Sequence, residues 1–130
     1  MKRISTALIV VAACLLLATA AFHATGHSFV AREIEASSVA PFVKSAVPTL
    51  WLFFSWHLAA VALASGAALF VAHGSTRRAI LVGCAIIVVV DFVWVFTIAG
   101  WFPGTVLLLL ASALLFAGGV VTTRHDAGER

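Results

Sequence analysis

The chain has 130 residues, 63% of them hydrophobic and 10% charged, with a formal net charge of +3. The apolar residues fall in long unbroken blocks, which excludes a soluble globular domain of this size and leaves an integral membrane protein. The basic balance, with a sequence pI near 9.5, then belongs to membrane topology and anionic lipid, and no nucleic-acid partner is expected.

Residues 4–22, 49–72, 79–99 and 104–121 form four apolar blocks, each close to the ~20 residues a helix needs to cross a ~30 Å hydrocarbon core. They predict an all-α fold, an integral membrane up-down four-helix bundle forming one transmembrane domain over residues 1–130. The first block admits two readings. Behind Met1-Lys2-Arg3 it has the form of a secretory signal ending in the small residues Ala18-Thr19-Ala20. It outruns the ~7–15 apolar residues of a signal core, however, so a retained helix is expected. Val11-Ala12-Ala13-Cys14 has a lipoprotein-like spacing but is followed by more apolar and small residues, and is read as chance.

The outer stretch 23–48 is long for a connection in a small bundle. Phe29, Val30 and Ile34 are interspersed there with Arg32, Glu33 and Glu35, which predicts a short amphipathic segment at the outer surface. Gly26 is expected to end the first helix in the left-handed conformation, and Pro48 to stand just before the second. Within the second block Ala60, Ala64, Ala68 and Ala72 recur every fourth residue, a shallow ridge that lets a neighbouring helix approach closely. His57 shares that face and is expected to point into the bundle. In the turn 73–78, His73 beside Gly74 is placed to bond the last carbonyls of the preceding helix. The last block has a weaker small-residue set in Ala113, Ala117 and Gly118, and its leucines from Leu107 to Leu110 read as lipid-facing. Cys14 and Cys84 lack Cys-x-x-Cys spacing and read as buried packing residues.

Lys2, Arg3, Arg77, Arg78, Arg124 and Arg130 fall on one side of the membrane, against Arg32 and Lys44 on the other. By the positive-inside rule both termini are cytoplasmic, in a multi-pass protein of a cell membrane, with a bacterial inner membrane as the expected setting. Trp51 and Trp101 lie at the outer ends of their helices, where amphipathic rings favour the interface.

The chemistry concentrates in two positions. Asp91 interrupts one apolar block and His57 another, and ionisable groups at membrane depth mark a partner, a pathway or a bound ion. Each lies eight residues from the outer end of its block, about 12 Å at a 1.5 Å rise, so the two share a level and a hydrogen bond or ion pair between them is geometrically reasonable. His23 and His27, four residues apart, can share a helical face as metal-ligand histidines do. The candidate site is therefore His57 and Asp91, with His23, His27 and a glutamate of the outer stretch as further metal ligands. Nitrogen and carboxylate donors suit zinc, copper(II) or iron, whereas the lack of methionine after Met1 argues against copper(I). A haem would take His57 as its axial ligand. Phe53, Phe54, Trp56, Phe92, Trp94 and Phe96 are packing residues or the walls of a pocket at that level.

No Gly-rich phosphate loop, Gly-x-Ser-x-Gly elbow or His-Glu-x-x-His is present, so the residues name no reaction. The leading expectation is a binding or accessory membrane protein holding a metal, haem or small lipid-like ligand. The alternatives are a structural subunit with a membrane-protein partner or a second copy, a small transporter, and a membrane enzyme using His57 as acid or base. Transport has less support, since no acidic residue stands in the first block and no polar stripe lines a path.

Overall fold

The structure, a computed structural model, describes residues 2–126, and for Lys2 and residues 122–126 the backbone alone. Arg124 and His125 are thus described without side chains, and Arg130 lies outside the described residues. The elements are α1 (Lys2–Thr25), α2 (His27–Ala36), α3 (Pro41–Ala67), a 3-10 turn (Ala68–Phe70), α4 (Gly74–Ala99) and α5 (Pro103–Asp126). Four segments are long and apolar enough to cross a membrane: Arg3–Ala36, Pro41–Phe70, Gly74–Ala99 and Pro103–Val121. The chain is an all-α, up-down four-helix bundle of a multi-pass membrane protein.

In a bilayer the apolar effect does not drive helices together, so packing rests on close fit and on satisfied polar groups. The inner face of α1 carries Ser5, Ile9, Ala12, Leu16 and Ala20, all buried, at intervals of three or four residues that keep one face inward. α5 answers with Thr105, Leu108, Ala111, Ser112 and Leu115. Near the end of α5, Gly118 and Gly119 provide close approach: a Cβ on Gly118 would stand 3.0 Å from Ile9 Cγ1, and one on Gly119 3.4 Å from Leu81 Cβ. The buried hydroxyls find backbone acceptors, as an apolar medium requires. Ser5 Oγ donates across the bundle to Gly118 O (3.0 Å), Ser65 Oγ to Ala62 O (2.8 Å) and Ser112 Oγ to Leu109 O (2.8 Å).

Around the bundle the order is α3, α1, α5, α4. Neighbours pack extensively on the first three sides, but α3 and α4 meet only sparsely, which leaves a seam between them. That seam runs against the expectation for the alanine ridge. Ala60 and Ala64 are exposed and only Ala68 is buried, because α3 turns its other face, Ser55, Leu58, Ala62 and Ser65, toward the interior. In α5, likewise, Ala113 is exposed while Leu108 is in the core. Cys84 is buried but Cys14 is exposed, and neither forms a disulfide.

The outer stretch 23–48 is mostly helical rather than a loop. α1 runs to Thr25, and Gly26 has φ −72°, not a left-handed value. Glycine there lets the indole lie close, since a Cβ would stand 3.0 Å from Trp51 Cζ2. The expected amphipathic segment is α2, which has no buried residue and lies along α3. α3 begins at Pro41, a position where a missing N–H costs nothing, and continues through Pro48. Pro48 has no N–H to offer Lys44 O, and the helix continues on either side of it, where Thr49 Oγ1 donates to Ser45 O at 2.8 Å and Ser45 Oγ to Phe42 O at 3.0 Å. Lys44 Nζ donates to Glu35 O (2.6 Å) and ties α2 to α3.

α4 starts at Gly74, so the stretch 73–78 is mostly helix. His73 is its N-cap residue, exposed and without a side-chain capping bond, so it does not close the end of α3. Arg77 is buried, with Nε and Nη2 lacking a partner among the described residues. Gly100 ends α4 with φ 68° and ψ −152°, a conformation essentially confined to glycine. Pro103 then opens α5.

Candidate functional site

His57 comes from the middle of α3 and Asp91 from the middle of α4, and the two side chains meet across the seam. His57 Nε2 and Asp91 Oδ2 are 3.0 Å apart, the Nε2–H donating to the carboxylate. The side chains keep 31% and 16% of their surface accessible, so the pair is open toward the lipid side of the seam rather than sealed in the core. Neither His57 Nδ1 nor Asp91 Oδ1 has a partner among the described residues, and neither is a buried atom. One acceptor or donor nitrogen and one carboxylate oxygen are therefore free to bond something that enters between α3 and α4.

His23 joins this pair only through rings. Its imidazole stacks on Trp51 (centroids 4.1 Å, planes 13° apart) and meets Phe54 edge-on at 5.1 Å. Phe54 in turn lies 6.3 Å from the His57 ring. His23 Nδ1 and Ser55 Oγ share a hydrogen bond of 2.9 Å, and Trp51 Nε1 donates to His23 O at 2.7 Å. Trp51 thus works as a clasp at the end of α1 and not simply as an interfacial anchor. Trp51 and Ser55 are one turn apart on α3 and face the same way, a spacing visible in the sequence; nothing in the sequence paired them with His23.

The four-residue metal set does not assemble. Among the described residues no group of three or more His, Cys, Asp or Glu is placed to hold a metal ion. His27 makes no side-chain hydrogen bond or ring contact among the described residues, and Glu33 and Glu35 are exposed on α2. The reason is that the chain stays helical through Gly26 and carries His27 and the glutamates alongside the first turns of α3, away from the level of Asp91. Of the six aromatics at that level, Phe53, Trp56 and Trp94 point to the lipid. Phe54 lies against His57, and Phe92 and Phe96 stack on each other at 5.6 Å beside Trp101.

Compared with known proteins, the chain matches no family model, no curated protein and no solved structure. The functional reading therefore rests on the site itself.

Proposed function

We propose that the protein is a membrane binding or accessory protein whose His57–Asp91 pair holds the polar head of a small lipid-like ligand entering between α3 and α4. The observation that carries this reading is the pair's position, spanning a sparse seam with an unpartnered atom on each residue. Magnitudes favour it over a purely structural clamp. A charged aspartate at mid-membrane costs about 2.5–3.5 kcal/mol to insert, whereas interhelical hydrogen bonds in membranes average about 0.6 kcal/mol. Stability alone is a poor reason to keep Asp91 there. A lipid-like ligand also fits the surroundings better than a metal, since the pair supplies only two ligating residues and its nearest ring is Phe54.

The test is extraction of the purified protein with organic solvent, followed by mass spectrometry, for the wild type and the variants His57→Leu and Asp91→Leu. A small amphiphile retained by the wild type and lost from both variants supports the reading; equal retention overturns it. An optical spectrum and total metal content of the same sample separate the other ligands. A Soret band assigns haem, and stoichiometric colourless metal assigns zinc.

A second reading is favoured by the exposed alanines. Ala60 and Ala64 lie on the same side of α3 as His57 and face outward, and small residues admit a close helix neighbour. A partner helix or a second copy seated in the seam would make the protein a structural subunit of a membrane complex. Cross-linking from a cysteine at position 64 distinguishes this from ligand binding.

A further inference from the structure

At the end of the bundle where α1 starts and α5 ends, α4 and α5 enclose an open groove of about 400 Å³ lined by Ser75, Arg78, Ala79, Val82, Phe116 and Val120. That volume is within the range of ligand sites. Its polarity is graded along the membrane normal. Ser75 and Arg78 stand at the rim, and Val82, one turn further along α4 and about 6 Å deeper, faces Phe116 on an apolar floor.

Two features make the rim attract an anion. Arg78 is exposed and has no side-chain partner among the described residues, where the ion pairs are Lys44–Glu35 and His57–Asp91. α4 begins at Gly74 without a side-chain cap, so the N–H groups of its first turn are open to an anion.

We propose that this groove binds one anionic phospholipid of the adjacent leaflet, its phosphate at Arg78, Ser75 and the start of α4, and the upper part of an acyl chain on Ala79, Val82, Phe116 and Val120. The site is separate from the His57–Asp91 seam. Its ligand is chosen by charge at the rim and by chain packing below it, so a zwitterionic lipid of the same chain length binds less well.

Native mass spectrometry of the full chain in mild detergent tests this with added phosphatidylglycerol and phosphatidylcholine of identical chains. The wild type is expected to retain one phosphatidylglycerol in preference. Arg78→Gln should lower its occupancy about fivefold, the equivalent of one basic residue near a membrane surface, while Arg32→Gln, on α2, leaves it unchanged. Circular dichroism establishes that each variant is folded. Phe116→Trp, which fills the floor from an already exposed position, should reduce retention of both lipids. Equal retention of the two lipids by the wild type, a preference that survives Arg78→Gln, or an equal loss in Arg32→Gln would overturn the proposal.

Discussion

Asp91 sits within an apolar spanning helix, where an ionised group is costly, and among the described residues His57 Nε2 is the one side-chain donor that reaches it. Removing His57 leaves the carboxylate without that bond, so His57→Ala should destabilise by more than the bond itself is worth. In a thermal-unfolding cycle in detergent, the double variant His57→Ala with Asp91→Ala is expected to cost less than the two single changes added together, with a coupling of about 0.6–1.7 kcal/mol. Additive changes would separate the two residues and remove the basis of the site. Two glycines offer a contrast at the same scale. Gly100, with φ 68° and ψ −152°, should lose about 1–3 kcal/mol on change to Ala. Gly83 is helical and a Cβ there would meet nothing within 4 Å, so Gly83→Ala is expected to be neutral or to gain up to about 1 kcal/mol.

At the scale of the helices, the bundle depends on how closely α5 lies between α1 and α4. Gly118→Val would push side-chain atoms against Ile9, a residue with no accessible surface, and should cost about 1–3 kcal/mol by overpacking. Ile9→Ala in the same chain is expected to restore part of that loss. Failure to recover any of it would place the strain elsewhere than at the α1–α5 contact. The α3–α4 side behaves differently, because it is held mid-membrane by one hydrogen bond and at its end by the 3-10 turn and residues 71–73. The alanine ridge of α3 did not mark a close approach within the bundle: among the described residues no helix fills the place beside Ala60 and Ala64, which are exposed.

For the molecule as a whole, the basic residues predict that both termini are cytoplasmic. With Cys14 and Cys84 replaced, a cysteine at Ser38, between α2 and α3, should label with an impermeant reagent from outside, and one at Ser75, at the start of α4, only after permeabilisation. The opposite pattern would reverse the topology and move the lipid groove to the other leaflet. The packing also bears on the first segment, since α1 bridges α3 and α5 and contributes Ile9, Ala12 and Leu16 with no accessible surface. An intact mass that includes residues 1–22 is expected, and a mature chain starting near Ala21 would contradict it. Length and unbroken hydropathy determined the helix number, the all-α class and the up-down order, because a bilayer admits almost no other way to satisfy so much apolar backbone. Shared depth on consecutive helices also made the meeting of His57 with Asp91 legible. What only the tertiary structure decided was rotation and continuity: which face of α3 turns inward, that the helix runs through Gly26 and Pro48, and that His23 joins Trp51 and Ser55 rather than Asp91. In hydrocarbon nearly every face of such a helix is apolar, so the hydropathy pattern carries little information about which side packs. That choice falls to steric fit and a few hydroxyl and indole hydrogen bonds, which exist only once the helices are side by side.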